Sequence, residues 1–231
     1  MKKRTECQVK ICGTTSTIDA KIAAESGADY SGIVVEVPFS ERSVSIEQAT
    51  EITRQTSIPT ILLFFNRSTD WIIEVVNKIN PFAIQLLGHE PAEQLKILKD
   101  SLQCQIWNSM FLPVNINQQI NLDEMIADLE SYITAGADAI LFDSAEYNDD
   151  KVRFGGTGKT SNWNIAEKLI QACEIPAFLS GGIRPENVRS AIETVHPDGI
   201  DLCSGVESEK GKRDRSKVIE LMQNLQLTSN K

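Results

Sequence analysis

Short apolar runs alternate along the chain with longer amphipathic segments, beginning at Gln8. This alternation is typical of repeated strand and helix units that build a parallel β-sheet. It predicts eight strands, at Gln8–Cys12, Tyr30–Val35, Thr60–Phe65, Ala83–Leu86, Gln105–Phe111, Ala139–Phe142, Ala177–Ser180 and Gly199–Cys203. It also predicts eight helices, which are expected to begin near Thr17, Ser45, Thr69, Pro91, Leu122, Asn164, Pro185 and Asp214.

The length of the chain fits a barrel made of these units. Eight units in 231 residues average about 29 residues each, close to the minimum for a strand–helix–strand crossover. We therefore expect one domain, residues 1–231, with the α/β fold of a single-domain (β/α)8 TIM barrel and frayed ends at 1–7 and 228–231. The segment from Asp143 to Asn162 is long and polar, which predicts a functional loop over the mouth of the barrel.

Local signals support several of the predicted boundaries. Ser45 has Gln48 three residues later, which is the spacing of a capping box at a helix start. Gly27-Ala28-Asp29 and Gly136-Ala137-Asp138 recur where a helix is expected to end and a strand to begin. This recurrence predicts equivalent turns in two of the repeated units.

Charge and cysteine content limit the class of partner and the compartment. The net charge of −9 does not favour binding to nucleic acid or to an anionic membrane, because both attract basic surfaces. The five cysteines include no Cys-x-x-Cys pair and the chain has two histidines, so we expect a reduced compartment and no structural zinc. The first residues lack the apolar segment of a secretory signal and no apolar run could span a bilayer, so the expected location is the cytoplasm. The sequence does not indicate an oligomeric state.

Two turns late in the chain have the composition of phosphate-binding loops. Gly181-Gly182 lies between a predicted strand and the helix expected at Pro185, and Ser204-Gly205 follows the last predicted strand. Glycine lets the backbone approach an anion closely, and the free N–H groups at a helix start donate to it. Either turn alone is equally consistent with an ordinary connection. Two in succession favour a phosphate site, which barrels commonly place after strands seven and eight.

Two reactive side chains are expected at strand ends. Barrel enzymes work at the carboxyl ends of their strands, where Cys12 ends the first predicted strand and Asp143 ends the sixth. A structural explanation also exists for each, since Cys12 could be a small core residue and Asp143 a turn cap. Arg42, after the second strand, is expected on the same side, where it could hold a carboxylate or be an ordinary surface charge.

Side-chain alternation predicts an ion pair inside the barrel. Residues i and i+2 of a strand share a face, so Lys10 and Cys12 are expected to point to the barrel axis, as are Asp201 and Cys203. A buried lysine needs an anionic partner, and strand eight neighbours strand one in a closed barrel. We therefore predict that Lys10 pairs with Asp201. The cationic surroundings are expected to favour the thiolate form of Cys12.

Several motifs occur in the same order as in a known family. They are Val9-Lys10-Ile11-Cys12-Gly13, Gln85-Leu86 with Gly88-His89-Glu90-Pro91, Gly155-Gly156-Thr157-Gly158-Lys159-Thr160 with Trp163, Ser180-Gly181-Gly182 with Pro185-Glu186-Asn187-Val188, and Ser204-Gly205-Val206-Glu207 with Gly211-Lys212 and Asp214. Together they resemble the phosphoribosylanthranilate isomerase family of tryptophan biosynthesis over nearly the whole chain.

The resemblance implies an Amadori rearrangement without a cofactor, from N-(5-phosphoribosyl)anthranilate to 1-(carboxyphenylamino)-1-deoxyribulose 5-phosphate. The implied partner is therefore a phosphorylated small molecule. By the same resemblance, Cys12 is the general base and Asp143 the general acid. The resemblance also implies that the phosphate is held by the glycine turns and that Arg42 lies near the anthranilate carboxylate.

Some positions depart from the family pattern. Leu87 stands where the family usually has histidine, Ser161-Asn162 replaces a usual Phe-Asp pair, and Trp107-Asn108 stands where a lysine often ends strand five. All are expected near the mouth, where they would affect the aromatic half of a ligand. Two alternatives therefore stay open: an isomerase for another aminoribosyl phosphate, and a non-catalytic barrel that binds a phosphorylated metabolite.

Overall fold

The computed structural model describes residues 7–113, 121–148, 151–154 and 162–226, and in this part of the chain eight parallel strands close into a barrel. The strands are β1 (Gln8–Ile11), β2 (Tyr30–Val35), β3 (Ser43–Val44), β4 (Thr60–Phe64), β5 (Ala83–Leu86), β6 (Gln105–Pro113), β7 (Ala139–Asn148), β8 (Lys151–Phe154), β9 (Ala177–Leu179), β10 (Gly199–Leu202), β11 (Glu207–Glu209) and β12 (Lys212–Arg213). Barrel neighbours follow the order β1-β10-β9-β7-β6-β5-β4-β2, and β2 pairs with β1 to close the ring. The predicted (β/α)8 barrel is confirmed.

Helices follow the barrel strands and pack around them. Those in the described ranges are α1 (Thr17–Glu25), α2 (Ile46–Gln55), α3 (Thr69–Ile79), α4 (Ala92–Ser101), α5 (Leu122–Thr134), α6 (Trp163–Ala172), α7 (Val188–Val195) and α8 (Arg215–Gln226). The capping box of Ser45 and Gln48 is present at the start of α2. No helix of the described ranges combines the length and the apolar character needed to cross a bilayer.

Strand alternation produces two separate apolar cores. Outward-facing residues such as Ile33, Leu62 and Ile84 pack against the helices in the larger core. Inward-facing residues such as Leu63 and Leu141 form the smaller core inside the barrel. This period of two confirms which side chains point to the axis, and it places the functional groups discussed below on the inner face.

An aromatic cluster fills the amino-terminal end of the barrel, called the bottom here. The rings of Tyr30 and Trp107 have centroids 5.1 Å apart, and those of Trp107 and Phe178 are 4.7 Å apart. Trp107 is buried in this cluster, so the prediction that it lies near the mouth is wrong. It lies deep because it is the third residue of β6, three positions before Met110, and not the end of the strand.

The Gly-Ala-Asp triplets form equivalent turns at the bottom, as predicted. Gly27 and Gly136 have left-handed backbones, with φ of +93° and +102°. The aspartate after each turn accepts the N–H of a neighbouring strand, from Val9 to Asp29 and from Ile106 to Asp138. In each pair the aspartate N–H also donates to the carbonyl of the same strand residue. The turns therefore fix where β2 and β7 begin beside their neighbours.

A third turn of this kind lacks the sequence signal. His196 has a φ of +52° at the end of α7. Asp198, two residues after His196, accepts the N–H of Ala177. Histidine takes the left-handed position that glycine takes in the other two turns. The repeat is therefore more regular in structure than in sequence.

Two boundary predictions near the mouth are wrong. β7 continues five residues past Asp143 to Asn148 and pairs with the antiparallel β8, so the first part of the segment from Asp143 to Asn162 is a hairpin. Helix α7 begins at Val188 and not at Pro185, because Arg184 and Asn187 first form a turn in which the Asn187 side chain accepts the Arg184 N–H. The glycine motif between 155 and 160, Ser161 and the predicted end at 228–231 lie outside the described residues. Cys7, in the other predicted frayed end, packs against the outer core.

Candidate active site

A pocket opens at the carboxyl ends of the barrel strands, called the mouth here. Seven of the nine site residues predicted from the sequence line it, namely Cys12, Arg42, Asp143, Gly181, Gly182, Asp201 and Ser204. Lys10 lies one layer below, and Gly205 lines an adjoining pocket. Strands that are far apart in the sequence therefore bring these groups to one place.

Lys10 and Asp201 form the predicted ion pair under the pocket. They are register partners on β1 and β10, and the Lys10 Nζ lies 2.8 Å from Asp201 Oδ1. The Lys10 side chain is fully buried. Burial lowers the pKa of Lys10, but Asp201 and Cys12 raise it more, so the net pKa lies above its ordinary value. Lys10 is therefore a fixed positive charge beneath the mouth.

Cys12 lies directly after β1, where its N–H donates to the carbonyl of Leu202. Its side chain is buried, lines the pocket and is close to Lys10. Burial raises the pKa of the Cys12 thiol, and Asp201 raises it further, whereas Lys10 and Arg213 lower it. The cations thus act on the thiol in the predicted direction, but the net pKa is above the ordinary value, so the thiolate is not favoured overall. Desolvation outweighs the two cations.

Asp143 lies on β7, on the other side of the pocket. Burial raises the pKa of its carboxyl to about 7, and the negative charge of Asp201 raises it too. The N–H of Ser144, 2.6 Å from Oδ1, and the Ser180 side chain lower the pKa by hydrogen bonding. Near neutral pH the carboxyl is therefore protonated in a large fraction of molecules, which is the form that can donate a proton.

Arg42 is held at the rim by a carboxylate that sequence reasoning did not single out. Its Nε and Nη2 atoms donate to the two oxygens of Glu207 at 2.8 and 2.7 Å. This two-bond arrangement fixes the plane of the guanidinium. The hydrogen bonds that Arg42 donates to Glu207 raise the pKa of Arg42. Burial raises the pKa of Glu207, but Arg42 lowers it more, so the net pKa lies below the ordinary value. The signal for Glu207 was its place in the Ser204 motif.

The two glycine turns pack against each other beside the pocket. Gly181 and Gly182 have left-handed backbones, with φ of +87° and +66°. A Cβ on Gly205 would lie 2.0 Å from the carbonyl oxygen of Ile183, so only glycine allows the turns to approach this closely. The N–H groups of residues 181–183 donate to no other group among the described residues. They are therefore available to an anion.

The helix that was expected to add its N-terminus to the first turn does not do so. Because α7 begins at Val188, the backbone N–H groups near Gly181 belong to a turn and do not lie at the start of a helix. Ser204 and Gly205 instead begin a single 3-10 turn, and Lys217 of α8 borders the adjoining pocket. The Lys217 Nζ donates to the carbonyl of Glu207. This cation was not foreseen, because α8 showed only an amphipathic pattern.

One wall of the pocket is apolar. It is formed by Val34, Leu63 and Leu87 from three neighbouring strands, opposite the polar side that carries Asp143 and Ser180. Leu87 thus lies at the mouth, as expected. Asn162 does not line this pocket and instead caps α6 by accepting the N–H of Ile165.

The comparisons with known proteins agree with this geometry. The sequence profile of the N-(5′-phosphoribosyl)anthranilate (PRA) isomerase family matches residues 9–224. The N-(5′-phosphoribosyl)anthranilate isomerase of Methanocella arvoryzae is 36% identical over 226 residues, which cover 96% of this chain and 99% of the relative.

Solved structures show the same likeness. The phosphoribosylanthranilate isomerase of Thermotoga maritima is 31% identical and superposes with a TM-score of 0.79 over 95% of this chain and 98% of its own. A phosphoribosylanthranilate isomerase in complex with reduced 1-(o-carboxyphenylamino)-1-deoxyribulose 5-phosphate is 28% identical, with a TM-score of 0.77 and the same coverage of the two chains. Because profile, sequence and fold agree over almost the full length, this chain belongs to the N-(5′-phosphoribosyl)anthranilate isomerase family.

Proposed function

We propose that this chain converts N-(5′-phosphoribosyl)anthranilate into 1-(carboxyphenylamino)-1-deoxyribulose 5-phosphate, with Asp143 as general acid and Cys12 as general base. Opening the ribose ring requires a proton on the ring oxygen. Moving the carbonyl then requires removal of the proton on C2′ of the resulting Schiff base. Asp143 on β7 and Cys12 directly after β1 line the pocket and are the candidates for these two steps.

Asp143 suits the first step. Its carboxyl, with a pKa of about 7, holds a proton at neutral pH that an ordinary aspartate would have lost. In the proposed reaction it gives this proton to the ring oxygen as the bond from C1′ to that oxygen breaks. The negative charge that remains on Asp143 is then stabilised by the Ser144 N–H and the Ser180 side chain.

Cys12 suits the second step once it is deprotonated. Its raised pKa makes the thiolate scarcer but also a stronger base, and Lys10 stabilises the charge that forms. The thiolate takes the proton from C2′, and the electrons of that bond form a C1′–C2′ double bond while the Schiff base nitrogen regains its electron pair. The enaminol that results becomes the ketone when its C2′ hydroxyl gives up a proton and C1′ gains one. The reactive combination is a protonated Asp143 with a deprotonated Cys12.

The rest of the pocket suits the two ends of the same molecule. The free N–H groups of the turn at Gly181 and Gly182 can hold the phosphate, together with the turn at Ser204 and Gly205. Arg42 lines the same pocket, where it can face the anthranilate carboxylate. Binding at both ends would hold C1′ and C2′ between the acid and the base.

The observation that carries this proposal is that Cys12 and Asp143 line one pocket beside two glycine turns with available amides. The test measures, by fluorescence, the turnover of the ribosyl-anthranilate by the variants Cys12→Ala and Asp143→Asn. We expect each variant to lose turnover and to keep the wild-type circular dichroism spectrum. Cys173→Ser is the control, because Cys173 lies at the end of α6, just before β9 begins, and packs against the outer core, so this variant should keep full activity.

Other results would favour the alternatives. Wild-type turnover by either variant would remove the assigned roles. If the wild-type chain neither turns over the ribosyl-anthranilate nor complements a tryptophan auxotroph, but binds phosphate esters, the barrel is a binder or acts on another aminoribosyl phosphate. Leu87 is the pocket residue through which a different aminoribosyl phosphate would be accommodated.

A further inference from the structure

Arg213 is a buried cation just behind the proposed base. It belongs to the short strand β12, and only 6% of the residue is exposed. Its Nη2 donates to the carbonyl of Cys12 at 2.7 Å, and its Nη1 donates to the carbonyl of Cys203 at 3.3 Å. One guanidinium therefore bonds the backbone at the ends of two barrel strands.

These two carbonyls lie where the strand ladder stops. The N–H of Cys12 donates to Leu202, and this is the last backbone bond recorded between β1 and β10 in the described part of the chain. Beyond it Cys12 presents its side chain to the pocket, and Cys203 leads into the turn at Ser204. Arg213 thus replaces the ladder at the point where the proposed base and the phosphate turn diverge.

Arg213 is itself held on two sides. Its N–H donates to Asp19 Oδ1 on α1, and its backbone pairs with Glu207 in the hairpin of β11 and β12. Asp19 is in turn held by the hydroxyl of Ser16. These contacts hold the backbone from which the side chain extends, and the planar guanidinium presents its two donors at a constant separation, which a lysine ammonium cannot do.

We propose that Arg213 is a positioning residue for the reaction: it ties the Cys12 carbonyl to the Cys203 carbonyl, aims the Cys12 thiol and keeps a positive charge behind it. This inference rests on the proposed function of Cys12. Arg213 lies outside the pocket, but it would place both the proposed base and the start of the phosphate turn.

The charge of Arg213 is one of several around Cys12. The titratable groups around Cys12 are Lys10 on β1, Asp201 on β10, Cys203 directly after β10, Arg42 at the rim and Asp143 on β7. Among these, Lys10 and Arg213 lower the pKa of Cys12, against the larger effect of burial. Loss of the Arg213 charge should therefore raise the pKa of the thiol.

The test compares Arg213→Gln and Arg213→Lys with a matched control. Arg215→Gln removes the same charge two residues later, where Arg215 makes an exposed ion pair with Glu25. The rate of alkylation of Cys12 by iodoacetamide is measured against pH in the full chain without substrate. The tryptic peptide Ile11–Lys21 contains Cys12 and no other cysteine, so its mass reports this thiol alone. The values of kcat and KM are measured in parallel.

For Arg213→Gln we expect the alkylation midpoint to rise by about 0.5 pH unit or more, because a nearby cation is lost. Its kcat/KM should fall about 10-fold or more, since the two carbonyls are released. Arg213→Lys should keep the midpoint within about 0.3 unit, because the charge remains. It should still lose several-fold in kcat/KM, because one ammonium does not hold both carbonyls. Arg215→Gln should match the wild type in both measurements.

An unshifted midpoint in Arg213→Gln, equal to that of Arg215→Gln, would overturn the proposal. Full kcat/KM in Arg213→Lys would overturn it as well, and this variant decides the matter if the glutamine variant does not fold. A purely structural residue would lower stability without moving the midpoint. Since alkylation needs no turnover, failure of the proposed reaction would show in the kinetics of the wild type and of Cys12→Ala, and would be distinguished from failure of this inference.

Discussion

The two ends of the barrel place carboxylates in contrasting surroundings. At the bottom, Asp29, Asp138 and Asp198 each accept the N–H of a strand residue, and this bond sets where the strands begin. At the mouth, Asp143 is enclosed without a bonded cation among the described residues, and the pKa of its carboxyl rises to about 7. An aspartate thus stabilises the backbone at one end, whereas at the other end its carboxyl has the raised pKa that the proposed general acid requires. The difference predicts that mouth substitutions affect catalysis most and bottom substitutions affect stability most.

The strongest test of the mouth is Asp143→Asn. It removes the proposed acid but keeps the shape of the side chain, so kcat should fall by about 1,000-fold. The folded state should not be weakened, because a neutral amide is easier to bury than a carboxylate. Stopped-flow fluorescence and urea unfolding measure the two effects. A large loss of stability with little loss of kcat would reverse the comparison.

The same variant has a defined pH dependence. The pKa of Asp143 is about 7 in the folded chain and about 3.9 in an unfolded one. Below pH 4 both states hold the proton and the group does not weaken the fold. As the pH rises from 4 to 7, the unfolded state has released the proton while the folded state still holds it, so the wild type loses stability, and the loss levels off above pH 7, where both states have released the proton. The stability advantage of Asp143→Asn should therefore grow from about pH 4 to about pH 7 and then level off, measured by urea unfolding at each pH.

The matching test at the bottom is Asp138→Ala. It leaves the Ile106 N–H without its acceptor and removes the ion pair with Lys99, so the free energy of unfolding should fall by about 2–3 kcal/mol. The kcat of the folded protein should stay the same, because the turn is at the other end of the barrel. Asp128→Ala, at an exposed helix position, is the control and should change stability by less than about 0.5 kcal/mol. A drop in kcat for Asp138→Ala would mean that the two ends are coupled.

A pair of glycines sharpens the contrast. In Gly205→Ala the new Cβ would press on the carbonyl of Ile183 and separate the two turns, so KM should rise about 10-fold. Gly136→Ala strains a left-handed turn at the bottom, so it should lower the free energy of unfolding by about 1 kcal/mol and leave KM unchanged. Equal changes in KM for the two variants would argue against a phosphate seat at Gly205.

The smallest expected effect is that of Glu207→Gln. The amide keeps the size of the side chain but loses the charge that fixes Arg42, so KM should rise about 5-fold, equivalent to about 1 kcal/mol, with kcat little changed. Initial-rate kinetics at several substrate concentrations separate the two constants. If kcat fell and KM did not, Arg42 would act on the reaction and not on binding.

Those features that depend on local periodicity could be predicted from the sequence. The alternation of apolar runs gave the barrel, and the i and i+2 rule placed Lys10 beside Asp201. The two Gly-Ala-Asp turns followed from a repeated signal. The meeting of Cys12 and Asp143 in one pocket could also be predicted, because the carboxyl ends of all barrel strands lie at the same end of the barrel.

Features that depend on burial or on distant partners could not be predicted. The protonation of Cys12 is decided by desolvation against two cations, and no sequence rule gives that balance. The extension of β7 depends on pairing with β8 outside the barrel. Arg213 reaches Cys12 from a two-residue strand near the other end of the chain, too short to leave a pattern.

The aromatic cluster of Tyr30, Trp107 and Phe178 limits how ligands enter and leave the barrel. Because these rings obstruct the axis from below, a reactant has to arrive, and its product has to depart, through the same opening. The two cannot pass one another, so the product should compete with the reactant for the free enzyme. Turnover then depends on how quickly the opening is vacated as well as on how quickly protons move.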